Sequence, residues 1–238
     1  MSCRKLFLIS VIFLFGGILS LMAQEQRQTV VDATTAYMQT SGNSSALYNG
    51  EEYEKYLRTT NHPYLADNMF VHAQLSYQNV LYPDVLLRYD MHKDKLVIQS
   101  PNLYEIVLFD ENVEFAEMFG KHIFYFQKDT IPGCPPSGYY ILLHAGNSKV
   151  MEKRNASLVE TAVSGSMLRY FIFSTRYYLF MDGEYFMVKN KQDFLKILSP
   201  YKKELKRFIS TRHLNFKKDA ETFLIHTMGE YEQLSGRR

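Results

Sequence analysis

A thiol is the strongest nucleophile a side chain can offer once it is ionised, and Cys134 is the natural starting point. It lies in Ile131-Pro132-Gly133-Cys134-Pro135-Pro136-Ser137-Gly138, a loop stiffened by three prolines. Such a loop gives the sulfur no helix N-terminus, and His122 or His144 can serve as base only if the fold brings one of them close. The reading is an idle or buried thiol, with pairing to another chain as the alternative. The seven histidines are His62, His72, His92, His122, His144, His213 and His226. No two have the i, i+4 helical spacing of a metalloprotease motif, and no cysteine pair accompanies them as a zinc site requires. His72 and His144 fall in strand-like segments, where a hydrogen-bonded structural imidazole is the expectation. Ser164-Gly165-Ser166 lacks the Gly-x-Ser-x-Gly form of a nucleophile elbow, and no glycine-rich phosphate loop is present. Glu114 with Glu117, or Asp110 with Glu111, has no spacing that demands a glycosidase pair, because separation in space decides that chemistry. No catalytic, cofactor-binding or metal-ligating residue is therefore assigned.

Two other residue classes could bind. The 18 Tyr and 17 Phe either fill a core and pair across strands or line an apolar cavity. If a cavity exists, Tyr104, Ile106, Phe124, Tyr140, Phe171 and Phe173 are the candidates to line it. The absence of Trp argues mildly against a carbohydrate-binding module. The basic residues cluster late. Residues 24–188 hold 13 Lys and Arg against 19 Asp and Glu, whereas residues 189–238 hold 12 against 6. An acidic body thus carries a basic tail. Either the tail's lysines form a solvated face on helices drawn to the body, or a patch centred on Lys202, Lys203, Lys206 and Arg207, with Arg212, Lys217 and Lys218 nearby, meets an anionic partner.

The elements that position these residues follow from periodicity. Residues 24–48 are small and polar, with Ser41-Gly42-Asn43-Ser44-Ser45 reading as a loop and part of the segment expected to be mobile. Glu51–Arg58 is predicted as a short helix capped by Asn49, with Tyr53, Tyr56 and Leu57 on one face, ended by Asn61-His62-Pro63. Strands are predicted at 69–77, 85–91, 95–99, 104–109, 113–119, 121–127, 139–144, 149–154, 170–181 and 184–188. Asp182-Gly183 is the strongest hairpin turn among them. Short connections make neighbours antiparallel. Tyr139, Ile141 and Leu143 point one way and Tyr140 and Leu142 the other; likewise His122, Phe124 and Phe126 oppose Ile123 and Tyr125. A sheet apolar on both faces must be covered on both or must curl. From residue 189 the period becomes helical. Asn190 caps Lys191–Leu198, Ser199-Pro200 restarts the chain, and Tyr201, Leu205, Phe208 and Ile209 form an apolar stripe. Asp219 caps a last helix with Ala220, Phe223, Leu224, Met228 and Tyr231 inward.

The N-terminus reads as a signal peptide over residues 1–23. Arg4 and Lys5 precede the sixteen-residue apolar run Leu6–Leu21, and Ala23 supplies the small residue before a cut at Gln24. The run is short for a membrane span, which needs about 20 apolar residues, and no second such run follows. Losing Arg4 and Lys5 brings 27 basic residues to 25, level with the 25 acidic ones. A chain neutral overall has no footprint for nucleic acid. With Cys134 alone left, stability rests on a core rather than on disulfides.

Leu47-Tyr48-Asn49-Gly50-Glu51-Glu52-Tyr53, Tyr82 with Val85-Leu86-Leu87-Arg88-Tyr89-Asp90, the passage Tyr185 to Leu198 and the Lys-rich helical tail resemble a set of small exported proteins of Bacteroidetes-type bacteria. That resemblance implies export and brings no activity and no site residues with it. At fold level, a curved antiparallel sheet with a helical cover resembles periplasmic lipoprotein carriers of the open-barrel kind. The expectation is one α+β domain over 49–238. It consists of a curved antiparallel meander of about nine to eleven strands over 49–188, packed by C-terminal helices over 189–238. The expected role is an exported, non-enzymatic envelope protein, in the periplasm or at the surface of a Gram-negative-type cell, that binds a partner protein or an apolar ligand. The alternatives are an accessory protein docking through its basic tail, and a hydrolase.

Overall fold

In the computed structural model residues 46–163 and 166–236 are described. The predicted signal peptide, the segment 24–45 and its Ser41–Ser45 loop lie outside the described residues. Eleven antiparallel strands form one open sheet in the order β1-β5-β4-β3-β2-β6-β7-β8-β9-β10-β11. In chain order they are β1 Glu51–Glu52, β2 Val71–Tyr77, β3 Val80–Asp90, β4 Lys95–Gln99, β5 Glu105–Val107 and β6 Val113–Met118. There follow β7 Lys121–Phe126, β8 Gly138–Ala145, β9 Lys149–Val163, β10 Ser166–Met181 and β11 Glu184–Val188. Three helices close the chain: α1 Lys191–Ile197, α2 Lys202–Thr211 and α3 Ala220–Ser235. The architecture is the expected α+β curved meander with C-terminal helices.

Turn chemistry sets the hairpins. Asp182 and Gly183 both take positive φ (54° and 83°), the type I′ geometry whose twist matches the flanking strands. Gln78 and Asn79 do the same (52° and 59°) between β2 and β3. This extends β3 back to Val80, beyond the predicted start at Val85. Pro83 inside β3 is accommodated where the β2–β3 register shifts between Ala73 and Leu75, since a bulge can absorb a missing N–H.

The alternation read from the sequence holds on both faces. Tyr139, Ile141, Ile123 and Tyr125 belong to one face, in a core with Leu75, Tyr77, Tyr82, Leu87, Tyr89 and Leu96. Tyr140, Leu142, Phe124 and Phe126 form a cluster on the other face with Met151 and Tyr178. A further core on the first face joins Val150, Leu179 and Val188 to Phe194, Leu205, Phe223 and Met228 of the helices. Leu143 packs against both first-face cores.

Two predicted elements are corrected. Glu51–Arg58 is not a helix and Asn49 does not cap one: Glu51–Glu52 pairs with β5 as an edge strand, and the Tyr53 N–H donates to the Glu105 carbonyl. The helical spacing of Tyr53 and Tyr56 has a tertiary cause instead, because both hydroxyls donate to Oδ2 of Asp90, at 2.6 and 2.8 Å. Ser199 caps no helix. Ser199–Tyr201 is a single 3-10 turn containing Pro200, and no side chain caps it. Asn190 and Asp219 do cap as expected, accepting from the backbone at 192–193 and at 222.

Candidate functional site: an open strand edge beside a polar cleft

β9 and β10 are the longest strands, and they outrun their neighbours. β8 pairs with β9 only over Lys149–Glu152, and β11 pairs with β10 only over Tyr177–Met181. The rest of the β9–β10 hairpin is an arm with only itself as ladder partner. Single contacts latch it. Ala156 of β9 donates its N–H to the Met91 carbonyl, and its own carbonyl lies 2.9 Å from Nδ1 of His92. On β10, the Asn61 amide bonds both backbone groups of Phe171: Oδ1 accepts from its N–H at 2.7 Å and Nδ2 donates to its carbonyl at 2.9 Å. The Thr60 N–H donates to the Arg169 carbonyl. One asparagine side chain thus stands where a neighbouring strand would be.

These latches fix which backbone groups face outward. Ala156 lies opposite Phe173, and Arg154 opposite Thr175. Outward groups alternate along a strand, so Phe171, Phe173 and Thr175 point away from β9 while Ser174 bonds to it. Asn61 covers Phe171 and β11 covers Tyr177 onward. Among the described residues, nothing pairs with the N–H and C=O of Phe173 and Thr175. Phe173 and Ile172 are also more than half exposed as side chains.

A cleft of about 360 Å³ opens beside this edge. One wall is Asn61, His62, Tyr64 and Leu65; the other is Arg154 and Asn155 of β9 with Phe173–Thr175 of β10. Its first wall is anchored from below. Asp90 is fully buried, and it accepts from the Tyr53 and Tyr56 hydroxyls and from the backbone N–H groups of His92 and Lys93. Tyr64 bridges Asp90 in the ladder, and the Leu65 N–H donates to the Tyr89 carbonyl. Arg88 lies 3.9 Å from the Tyr64 ring centroid while its guanidinium pairs with Glu105 at 2.7 Å. Burial, then the hydrogen bond to Asp90, push the Tyr53 and Tyr56 hydroxyls well above the ordinary phenol range, so they act as fixed donors.

The second wall is held by charge. Nε of Arg154 donates to buried Glu152 at 2.8 Å, and its Nη2 reaches Glu221 of α3 at 3.4 Å. Nζ of Lys121 meets the same Glu221 at 2.6 Å. Burial opposes the guanidinium's charge, but Glu152 and Glu221 together hold Arg154 above its ordinary pKa. Burial and Glu152 push Tyr177 up to about 12. The His62 ring stacks on Tyr64 at 5.7 Å, and its buried Nδ1 has no hydrogen-bond partner. No carboxylate is among the residues lining the cleft. The imidazole therefore has no acid to orient it, and Arg154 is already engaged. Such a lining can accept hydrogen bonds and stack.

The predicted cavity residues do not converge. Phe171 is buried in the core of the curved sheet, and Ile106 packs against that core. Phe124 and Tyr140 lie on the opposite face, ring centroids 6.4 Å apart. Tyr104 is 64% exposed before β5 and Phe173 is 56% exposed at the cleft. The curved interior itself is filled by Tyr77, Tyr82, Tyr89 and Tyr139. Sequence reasoning named Phe173 for another reason and missed Asn61, His62 and Arg154. The β-branched residues Val159, Thr161 and Val163 were the signal that could have lengthened β9 and revealed the arm.

The predicted basic patch is brought together. Lys202, Lys203, Lys206 and Arg207 are all exposed on α2, while Leu205 and Ile209 are buried beneath. Cys134 accepts the Asp129 N–H at 3.3 Å within its own loop. His122 pairs with Glu117 at 2.5 Å, and His144 lies 3.0 Å from Glu232. No helix of the described residues is long and apolar enough to cross a membrane. No family model, curated protein or solved structure matches the chain.

Proposed function

We propose that this chain is an exported envelope protein that works by binding, and that the open edge of β10 receives an extended segment of a partner protein. The observation that carries the reading is the unpaired backbone of Phe173 and Thr175. An unpaired strand edge recruits another strand, with backbone hydrogen bonds supplying affinity and side-chain pockets supplying specificity. The two end strands of the sheet are guarded. Charged Glu51 and Glu52 make up β1, and the Pro132 carbonyl takes the Tyr185 N–H of β11. Among the described residues, Ile172-Phe173-Ser174-Thr175 combines exposure, lack of charge and free outward groups at the rim of a cleft. The partner's segment would be short, because Asn61 and β11 block both ends, and an apolar side chain on it could enter the cleft beside Phe173. Export rests on the N-terminal residues read above.

A photo-reactive residue at position 174 tests this in the living cell. The expected result is a cross-link to a single partner peptide, absent when the probe stands at exposed Lys149. Thr175→Pro should abolish that cross-link with little loss of stability, since the N–H it removes faces away from β9. Ser174→Pro, by contrast, should destabilise by roughly 1–3 kcal/mol because it removes a ladder bond and leaves its acceptor unpaired. A cross-link pattern at 174 indistinguishable from that at 149, or unaffected by Thr175→Pro, overturns the reading.

A further inference from the structure

The helical tail turns two of its acids inward and its bases outward. Across the boundary between helices and sheet, the tail contributes Glu221 and Glu232, and the sheet contributes Lys121, Arg154 and His144. The net charges of the two zones predict the reverse arrangement, basic tail on acidic body. The tail's positive charge is therefore not used in holding the molecule together. Among the described residues, no carboxylate pairs with Lys202, Lys203, Lys206 or Arg207. All four are exposed, as are Arg212, Lys217 and Lys218 in the connection to α3.

The arrangement on α2 is directional. At about 100° per residue, Lys202, Lys203, Lys206 and Arg207 span an arc of roughly 140°. The inward residues Tyr201, Leu205, Phe208 and Ile209 fill the opposite arc. Glu204, the one acid of the helix, lies on the flank between them. A ten-residue helix is about 15 Å long, so four fixed charges share a patch little wider than one or two lipid headgroups. The body is net acidic outside this tail, 13 basic against 19 acidic residues over 24–188. A negatively charged plane attracts one pole of such a molecule and repels the other, so it would be approached with α2 foremost.

We infer that the α2 face and the 212–218 connection form an electrostatic docking surface for anionic phospholipid headgroups. This surface is separate from the β10 edge, and neither reading depends on the other. No insertion is involved. The apolar stripe of α2 is committed to Leu205 and Ile209 in the core, both buried, so the attraction is peripheral and decays within a Debye length.

The test is sedimentation of the purified full chain with vesicles. Vesicles of phosphatidylcholine with 40% phosphatidylglycerol are compared with phosphatidylcholine alone, which reports any adhesion through the apolar residues 6–21. Each basic residue near an anionic surface is worth about fivefold in partitioning at low salt. Lys202→Glu, Lys203→Glu, Lys206→Glu and Arg207→Glu together should weaken the phosphatidylglycerol-dependent part by at least about 100-fold. Raising salt from 50 to 500 mM should do much the same. Reversing four exposed bases of the body, Arg58, Lys128, Lys149 and Arg176, carries the same change in net charge and should alter binding by less than about fivefold. Substituting Gln at the four α2 positions gives an intermediate loss and covers any folding defect of the reversal. The inference is overturned if the two quadruple reversals weaken binding equally, or if the α2 reversal leaves it unchanged. It is also overturned if the chain ignores phosphatidylglycerol, including the case where it binds only a sulfated or phosphorylated polysaccharide.

Discussion

A Cβ at position 146 would lie 2.2 Å from Oε2 and 2.5 Å from Oε1 of Glu232. The carboxylate is there because it finishes the β8–β9 turn: Oε1 accepts the Ser148 N–H at 2.9 Å, and Oε2 lies 3.0 Å from Nε2 of His144. Ser148 and Glu232 are both buried, so a displaced carboxylate leaves a backbone donor without water or a partner. Leaving a buried donor unmade costs roughly 1–3 kcal/mol. Gly146→Ala should therefore lower the unfolding free energy by that amount in urea titrations. In a Glu232→Ala background the same substitution should be close to neutral, since the clash and the bond have both gone. Equal losses in the two backgrounds would assign the effect to turn conformation alone. The turn Ala145-Gly146-Asn147-Ser148 was legible from its composition. Its dependence on a carboxylate 84 residues further on was not, because no local pattern links a turn to a helix that docks on it.

At the scale of elements, turn residues and alternation located nearly all of the sheet, and Asn190 and Asp219 located the starts of two helices. The failures share one cause. β1 was mistaken for a helix because Tyr53 and Tyr56 are spaced for one, while the interaction deciding the matter is a buried Asp90 37 residues away from Tyr53. The β9–β10 arm was cut short because its outer half has no neighbour strand. Its side chains follow exposure there rather than a core, and the two-residue period fades. The candidate edge, Ile172–Thr175, lies within the strand predicted over 170–181, but its open state depends on where β11 stops, which no local pattern of β10 reports. The arm's attachment can be tested through Asn61. Asn61→Ala frees both backbone groups of Phe171 and leaves the Thr60–Arg169 bond and the bonds of Ala156 to Met91 and His92 as the other latches. Hydrogen exchange should accelerate at the Phe171 amide and through Ser166–Tyr170, by about tenfold if one net hydrogen bond of ~1.4 kcal/mol is lost. Amides of β2, β6 and β7 should stay as slow as before. Acceleration spread evenly over the sheet would mean that Asn61 supports the whole fold rather than the arm.

The whole molecule is built around phenols. Tyr53, Tyr89, Tyr139 and Tyr140 are all buried, and each has its pKa raised chiefly by that burial. Neighbouring carboxylates add to the shift: Asp90 for Tyr53, Asp94 for Tyr89 and Asp110 for Tyr139. Each of these tyrosines keeps its proton in the native state, whereas the unfolded chain loses it near pH 10. Stability from such a group is complete below pH 10 and is lost as pH rises beyond it. Lys153 works the other way. Burial lowers its pKa against the pull of Asp94, so the native state sheds that proton first and stability gains between its lowered value and about 10.5. One lysine cannot offset four tyrosines, each giving roughly 1 kcal/mol at pH 11. The urea midpoint should thus be flat from pH 7 to 9 and fall steeply from 10 to 11. Tyr53→Phe or Tyr139→Phe should each reduce the slope by about one proton, whatever it does to stability at pH 7. Slopes unchanged by both substitutions would mean that these phenols ionise alike in the two states. The curved interior would then be wetter than its packing implies, because Tyr89 and Tyr139 fill the space that an apolar ligand would otherwise have to occupy, and their unwillingness to ionise is the chemical measure of how dry that interior is.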